Sequence, residues 1–166
     1  PDTTAARLAS LDAGVAGDPL PPTPDSEPAP APRLPVSPKF TMVPISEAAQ
    51  RIGGPIRLLH ALGTPDHIEL GPGSAVPGAP AKLEVARVVY GTEDGGRILL
   101  DQQLIPPDSN GFRTINDPTL ERGDVAYGTA ANGVSVATWV DEEGYRLSLV
   151  ARASVDSIQK LIPLVH

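Results

Sequence analysis

This sequence contains no cysteine, which excludes disulfides, thiol catalysis and thiolate metal sites. The absence does not choose a compartment, because an exported domain with a sufficient core can do without cross-links. Aromatic residues make up only 4% of the chain, with one tryptophan, so a core has to be assembled from Val, Leu, Ile and Ala. No apolar run reaches the roughly 18 residues that span a bilayer, and no charged-then-apolar leader opens the chain. Basic residues are outnumbered, 13 against 20 acidic, for a formal charge of −7. That balance argues against a nucleic-acid surface or a polybasic membrane patch. The acidity is spread: Arg7 and Arg33 face Asp2, Asp12, Asp18, Asp25 and Glu27 before Lys39, and the rest of the excess lies beyond it. A length of 166 residues suits one domain of ordinary size plus a tail. The chain opens on Pro1, from which a fragment or processed form is expected.

Proline, by contrast, is abundant and unevenly placed. Half of the 20 prolines precede Lys39, and all of these but Pro1 crowd into GDPLPPTPDSEPAPAPRLPVSP, Gly17 to Pro38. Fixed φ angles and missing N–H donors make such a stretch extended and stiff, so residues 1–39 read as a linker or stalk. A proline-recognising groove could alternatively take Pro21-Pro22-Thr23-Pro24. A helix is conceivable over Thr4 to Leu11, though too short to persist alone.

Residues 40–166 read as the folded domain. In VPISEAAQRIGG, Ser46 offers an N-cap, Glu47 an acidic first turn and Gly53-Gly54 a stop, which predicts a helix over Glu47 to Ile52. PIRLLHALGTPDHIEL has extended character, and Gly71 to Ala81 reads as a flexible loop by composition. KLEVARVVY and RILLDQQLI, joined by GTEDGG, predict a hairpin. FRTI is a candidate short strand, followed by GDVAYGTA. VSVATWV and YRLSLVA then form a second hairpin about DEEG, after a turn at Ala131-Asn132-Gly133. Asn-Gly and Glu-Gly at these turns suit positive φ. Ser154 caps a last helix whose apolar line is Val155, Ile158, Leu161 and Ile162, ending before Pro163. The expected fold is α+β: an antiparallel sheet of five or six strands, a short N-terminal helix and a C-terminal helix packed on it.

Chemistry-bearing sets are thin. His60, Asp66 and His67 could be imagined around a metal, but helical spacing and a further ligand are missing, so a structural or surface role is the expectation. His166, at the end, is expected to fray. Ser74 follows Gly73 without a nucleophile elbow, and Pro72 and Pro77 oppose both a serine triad and strain-driven autocleavage. Asp108, Asn110 and Gly111 lack the register and distal Glu of a calcium loop. Asp141-Glu142-Glu143 reads as a solvated hairpin tip that discourages edge aggregation. Glycine-rich phosphate loops and basic–aromatic interleaving are absent. Trp139 could be an exposed binding platform, but packing of the terminal helix is the stronger expectation. No catalytic, metal or cofactor residue is assigned, the ligand- or partner-binding residues are unknown, and an enzyme is not expected.

Two stretches carry a family likeness. VPISEAAQRIGGPIRLLHALGTPDHIELG resembles the opening, and VSVATWVDEEGYRLSLVARASVDSIQKLI the finish, of the extracytoplasmic C-terminal domain of membrane-anchored bacterial anti-sigma factors. The likeness spans roughly Phe40 to His166. It implies a sensory or scaffolding domain on the outer side of the bacterial cell membrane. A span and a sigma-binding segment absent from this chain would precede the stalk. The implied partners are an envelope protein or signal ligand here and a sigma factor there, with no nucleic acid and no cofactor. The competing expectation is an exported cell-envelope or lipoprotein binding module, which a large apolar concavity on the sheet would favour. An enzyme would need His60, His67 and acidic side chains clustered in a cleft.

Overall fold

The computed structural model describes residues 34–106 and 125–166. The candidate helix over Thr4 to Leu11, the Pro21–Pro24 motif, the Asp108–Gly111 turn and the FRTI strand lie outside the described residues. Among the described residues, seven strands form one antiparallel sheet: β1 (Thr41–Met42), β2 (His67–Pro72), β3 (Glu84–Gly91), β4 (Arg97–Leu104), β5 (Val125–Thr129), β6 (Ser135–Val140) and β7 (Tyr145–Ala151). Their spatial order is β1-β2-β3-β4-β7-β6-β5. Two helices, α1 (Ile45–Ile52) and α2 (Val155–Leu161), complete an α+β fold. The strands beyond the expected five or six are the two-residue β1 and β2, which emerges from the segment read only as extended.

Strand alternation gives the sheet two distinct faces. One face, from Ile68, Leu70, Val88, Tyr90, Leu100, Ala137, Trp139, Leu147 and Leu149, forms the main core with Ala48 and Ile52 of α1 and Ile158 of α2. Helix α1 lies against β2 and β3, and α2 against β5 and β6. Trp139 belongs to this core and is 7% exposed, so packing is its role in the fold.

Local signals explain most element ends, and tertiary bonds explain the exceptions. Helix α1 starts earlier than Ser46 predicts. Val43 donates its N–H to the Ile68 carbonyl (2.9 Å), which carries the β1–β2 pairing up to Pro44. Pro44, extended at φ −63° and ψ 151°, is then the N-cap, and Ser46 makes no cap bond. At the other end Gly53 takes φ 86° and returns its N–H to the Ala49 carbonyl, the expected stop. Helix α2 starts where Ser154 predicts, its Oγ accepting from the Ser157 N–H at 3.2 Å. Ser154→Ala is expected to lower stability by about 1 kcal/mol, read as a lower urea midpoint with an unchanged slope.

Two further segments differ from expectation. Gly71 to Ala81 is not a free loop: Gly71 and Pro72 finish β2, and Gly73–Ala75 form a 3-10 turn. Gly73 donates to the Leu83 carbonyl at 2.9 Å, and a Cβ there would lie 2.6 Å from that oxygen and closer still to the Pro80 carbonyl. Val76 is buried with Phe40 and Val85. Glycine and proline serve here as tight-turn formers in a packed flap. His166 is not frayed either, since its backbone exchanges both hydrogen bonds with Leu58 (2.7 and 3.1 Å) beside a Leu59–Val165 bridge.

Candidate functional site: the second face of the sheet

On the face away from the helices, the strands bring together charged residues that are far apart in sequence. In register, Glu69 of β2 lies opposite Arg87 of β3, then Asp101 of β4, Ser148 of β7 and Thr138 of β6. Beside this line runs a second, Gly71, Val85, Gln103 and Arg146 being neighbours or near neighbours across the same strands. Glu69 is 0% exposed, Asp101 2% and Arg146 3%. Charges so deeply buried persist only when paired or hydrogen-bonded.

The pairing is explicit for most of them. Arg87 grips Asp101 with two bonds, Nε to Oδ1 at 2.6 Å and Nη2 to Oδ2 at 2.8 Å. Its guanidinium also lies 4.2 Å from the centre of the Phe40 ring. Burial pulls the Arg87 guanidinium toward neutrality, but the Asp101 bonds and the charges of Asp101 and Glu69 outweigh it and hold its pKa above the usual value. Burial pushes the Asp101 carboxyl up, opposed by the Arg87 bonds and by the charges of Arg87 and Arg146. Burial likewise lowers Arg146, with Asp101 counteracting. Arg146 Nε, Gln103 Oε1, Glu69 Oε2 and Ser37 Oγ are buried without a hydrogen-bond partner among the described residues.

At the β2 end of the line, His67 sits between two carboxylates. Its Nδ1 is 2.6 Å from Asp66 Oδ2 and its Nε2 is 2.7 Å from Glu69 Oε1. The same two oxygens accept backbone N–H groups from the segment preceding Phe40: Leu34 to Asp66 (3.2 Å) and Ser37 to Glu69 (2.9 Å). A third tie runs from Arg97 Nη1 to the Pro35 carbonyl at 3.4 Å. Residues 34–37, from the end of the stretch read as a stalk, thus lie as a strap on the sheet.

The remaining sequence candidates are dispersed. His60 is exposed in a 3-10 turn, His60–Leu62, away from the β2 pairing that buries His67. No group of three or more His, Asp and Glu side chains among the described residues is arranged to hold a metal ion. Ser74 is exposed on the Gly73–Ala75 turn. The acidic tip proves more than solvated. Asp141 Oδ1 accepts from the Glu143 and Tyr145 N–H groups, both at 2.9 Å. Arg57 pairs with Glu143 and lies 3.4 Å from Asp141, its guanidinium over the Tyr145 ring. Among the described residues its hairpin, β6–β7, is interior to the sheet, whose edge strands are β1 and β5.

A concavity of about 600 Å³ opens at the far end of β4 and β7. Leu99, Val134, Val150 and Ala153 supply apolar lining, and Asp94, Arg97 and Arg152 supply charge. The Thr92 hydroxyl and the Gly96 N–H hold the Asp94 carboxyl below its ordinary range. Sequence reading missed the buried line entirely. Its signal was present as single charged residues at the centres of apolar strands, in HIEL, VARVV and LLDQQL.

No family model, curated protein or solved structure matches the chain.

Proposed function

We infer that residues 40–166 act as an interaction domain outside the cytoplasm, the sensory or scaffolding part of a membrane-anchored bacterial anti-sigma factor. An envelope protein or signal ligand meets this domain, and a sigma factor is held by a segment outside this sequence. The observation that carries the reading is the order of elements. A short helix and proline-containing segment lead into β2, and a Trp-bearing strand, an acidic turn, a Tyr-bearing strand and a capped helix finish the chain. These are the elements the resemblance requires, and Trp139 and Tyr145 enter one core. A net charge of −7 agrees with a protein or small-ligand partner in preference to nucleic acid. Among the described residues no helix is long and apolar enough to cross a membrane. On this reading the anchor belongs to another part of the protein.

The test is to delete residues 40–166 from the full-length gene in its own bacterium and follow sigma-dependent transcription. The expected result is transcription that no longer responds to envelope stress, together with an apolar stretch of about 20 residues encoded upstream of Pro1. An unaltered response, with a cleavable leader directly before Pro1, overturns the reading. The concavity lined by Leu99, Val134 and Val150 favours one second reading, an exported cell-envelope binding module.

A further inference from the structure

We propose that Asp66, His67 and Glu69 form a proton-held clamp that fastens the strap, residues 34–37, to the sheet and releases it as pH rises. Donor and acceptor counts define the state of the ring. A carboxylate only accepts hydrogen bonds, whereas a neutral imidazole donates from one nitrogen and accepts at the other. Both ring nitrogens of His67 face carboxylate oxygens at 2.6 and 2.7 Å. With both carboxyls ionised, both ring nitrogens must donate, which is the imidazolium form. Glu69 Oε1 already accepts from the Ser37 N–H, so it serves as an acceptor on both sides.

The charged groups of this face among the described residues are Glu69 of β2 with Asp66 before it, Arg87 of β3, Asp101 of β4 and Arg146 of β7. The strap contributes no titratable side chain between Leu34 and Pro38, and Arg97 touches it through the Pro35 carbonyl. Glu69 is 0% exposed, so a proton donated to it has to come from a neighbouring side chain or backbone group.

Loss of the proton sets a nitrogen lone pair against a carboxylate oxygen at hydrogen-bond distance. The contact has to open, and it opens at the oxygens that hold the Leu34 and Ser37 amides. The clamp is therefore closed below the titration of the cluster and open above it. Opening frees the strap from the sheet, lengthens the tether of any stalk ahead of it, and bares β2. The clamp depends on the cluster alone and operates under either functional reading.

Hydrogen exchange followed by NMR on the whole 166-residue chain tests it, because the Leu34 and Ser37 amides report the two clamp bonds directly. Between about pH 5.5 and about pH 8.5, their protection factors are expected to fall about tenfold or more. Those of Val89 and Leu149 in the central strands are expected to stay level. The 15N signals of the His67 ring are expected to show both nitrogens protonated at the lower end. In His67→Gln no ring proton is left to lose, so the fall at Leu34 and Ser37 should flatten. Level protection of Leu34 and Ser37 across the range, or a ring with one bare nitrogen at about pH 5.5, overturns the proposal. So does a folded H67Q that keeps the wild-type pH profile.

Discussion

Asp101→Ala is expected to lower the free energy of unfolding by about 3–5 kcal/mol, the usual cost of breaking a buried ion pair by removing one partner. The loss comes from the Arg87 guanidinium, which keeps its charge and loses both of its carboxylate bonds while remaining enclosed. Arg146 loses a favourable counter-charge at the same time. The pair itself is a poor stabiliser, since taking two ions out of water offsets most of their attraction. The double variant Arg87→Met with Asp101→Leu is therefore expected to recover most of the loss, because the introduced thioether side chain keeps an apolar contact with Phe40. Urea denaturation of the wild type, Arg87→Met, Asp101→Leu and the double variant closes the cycle. A double variant as unstable as Asp101→Ala would mean that the pair itself supplies the stability.

Trp139→Ala is expected to cost about 3–5 kcal/mol, as for other large aromatic side chains cut back to alanine in a core. The indole belongs to the same core as Ile158 of α2, which is fully buried. Because it is the single tryptophan, its fluorescence reports the same site without labelling. Native emission should be blue-shifted and should move to the red on unfolding in step with circular dichroism. Emission already at the wavelength of a solvated indole in the native state, with a loss under about 1 kcal/mol for Trp139→Ala, would place the ring at the surface.

The parts of this fold legible in the sequence are those decided within a few residues. Ser154 caps α2 because its hydroxyl reaches an N–H three residues on. Gly53, Gly133 and Gly144 end elements because each takes a positive φ. The illegible parts depend on distant partners. Helix α1 begins at Ile45 because of a bond to Ile68, which no local rule around Ser46 contains. The acidic hairpin tip reads as solvated until Arg57, 86 residues earlier, comes across to Glu143. The candidate site escapes sequence reading for a compositional reason. A charged residue in a strand is assigned by default to water, and only the cross-strand register reveals that Glu69, Arg87 and Asp101 share a covered line. A structural or surface role for His67 is the local expectation, and only the folded sheet sets a carboxylate on either side of its ring.

The seam between β4 and β7 also bears on how fast this protein reaches its native state. Strands β1 to β4 pair in chain order, and so do β5 to β7, so each set can zip up by neighbouring contacts. Joining them requires partners such as Leu104 and Tyr145, or Ile98 and Ala151, to find each other across a long stretch of chain and meet in register. Loop closure over that distance comes before any reward from the contacts it allows. Docking of the two meanders along this seam is then the slow event of folding. Substitutions at Leu100 and Leu149, opposite one another at its middle, should slow folding, while changes at the outer strands chiefly speed unfolding.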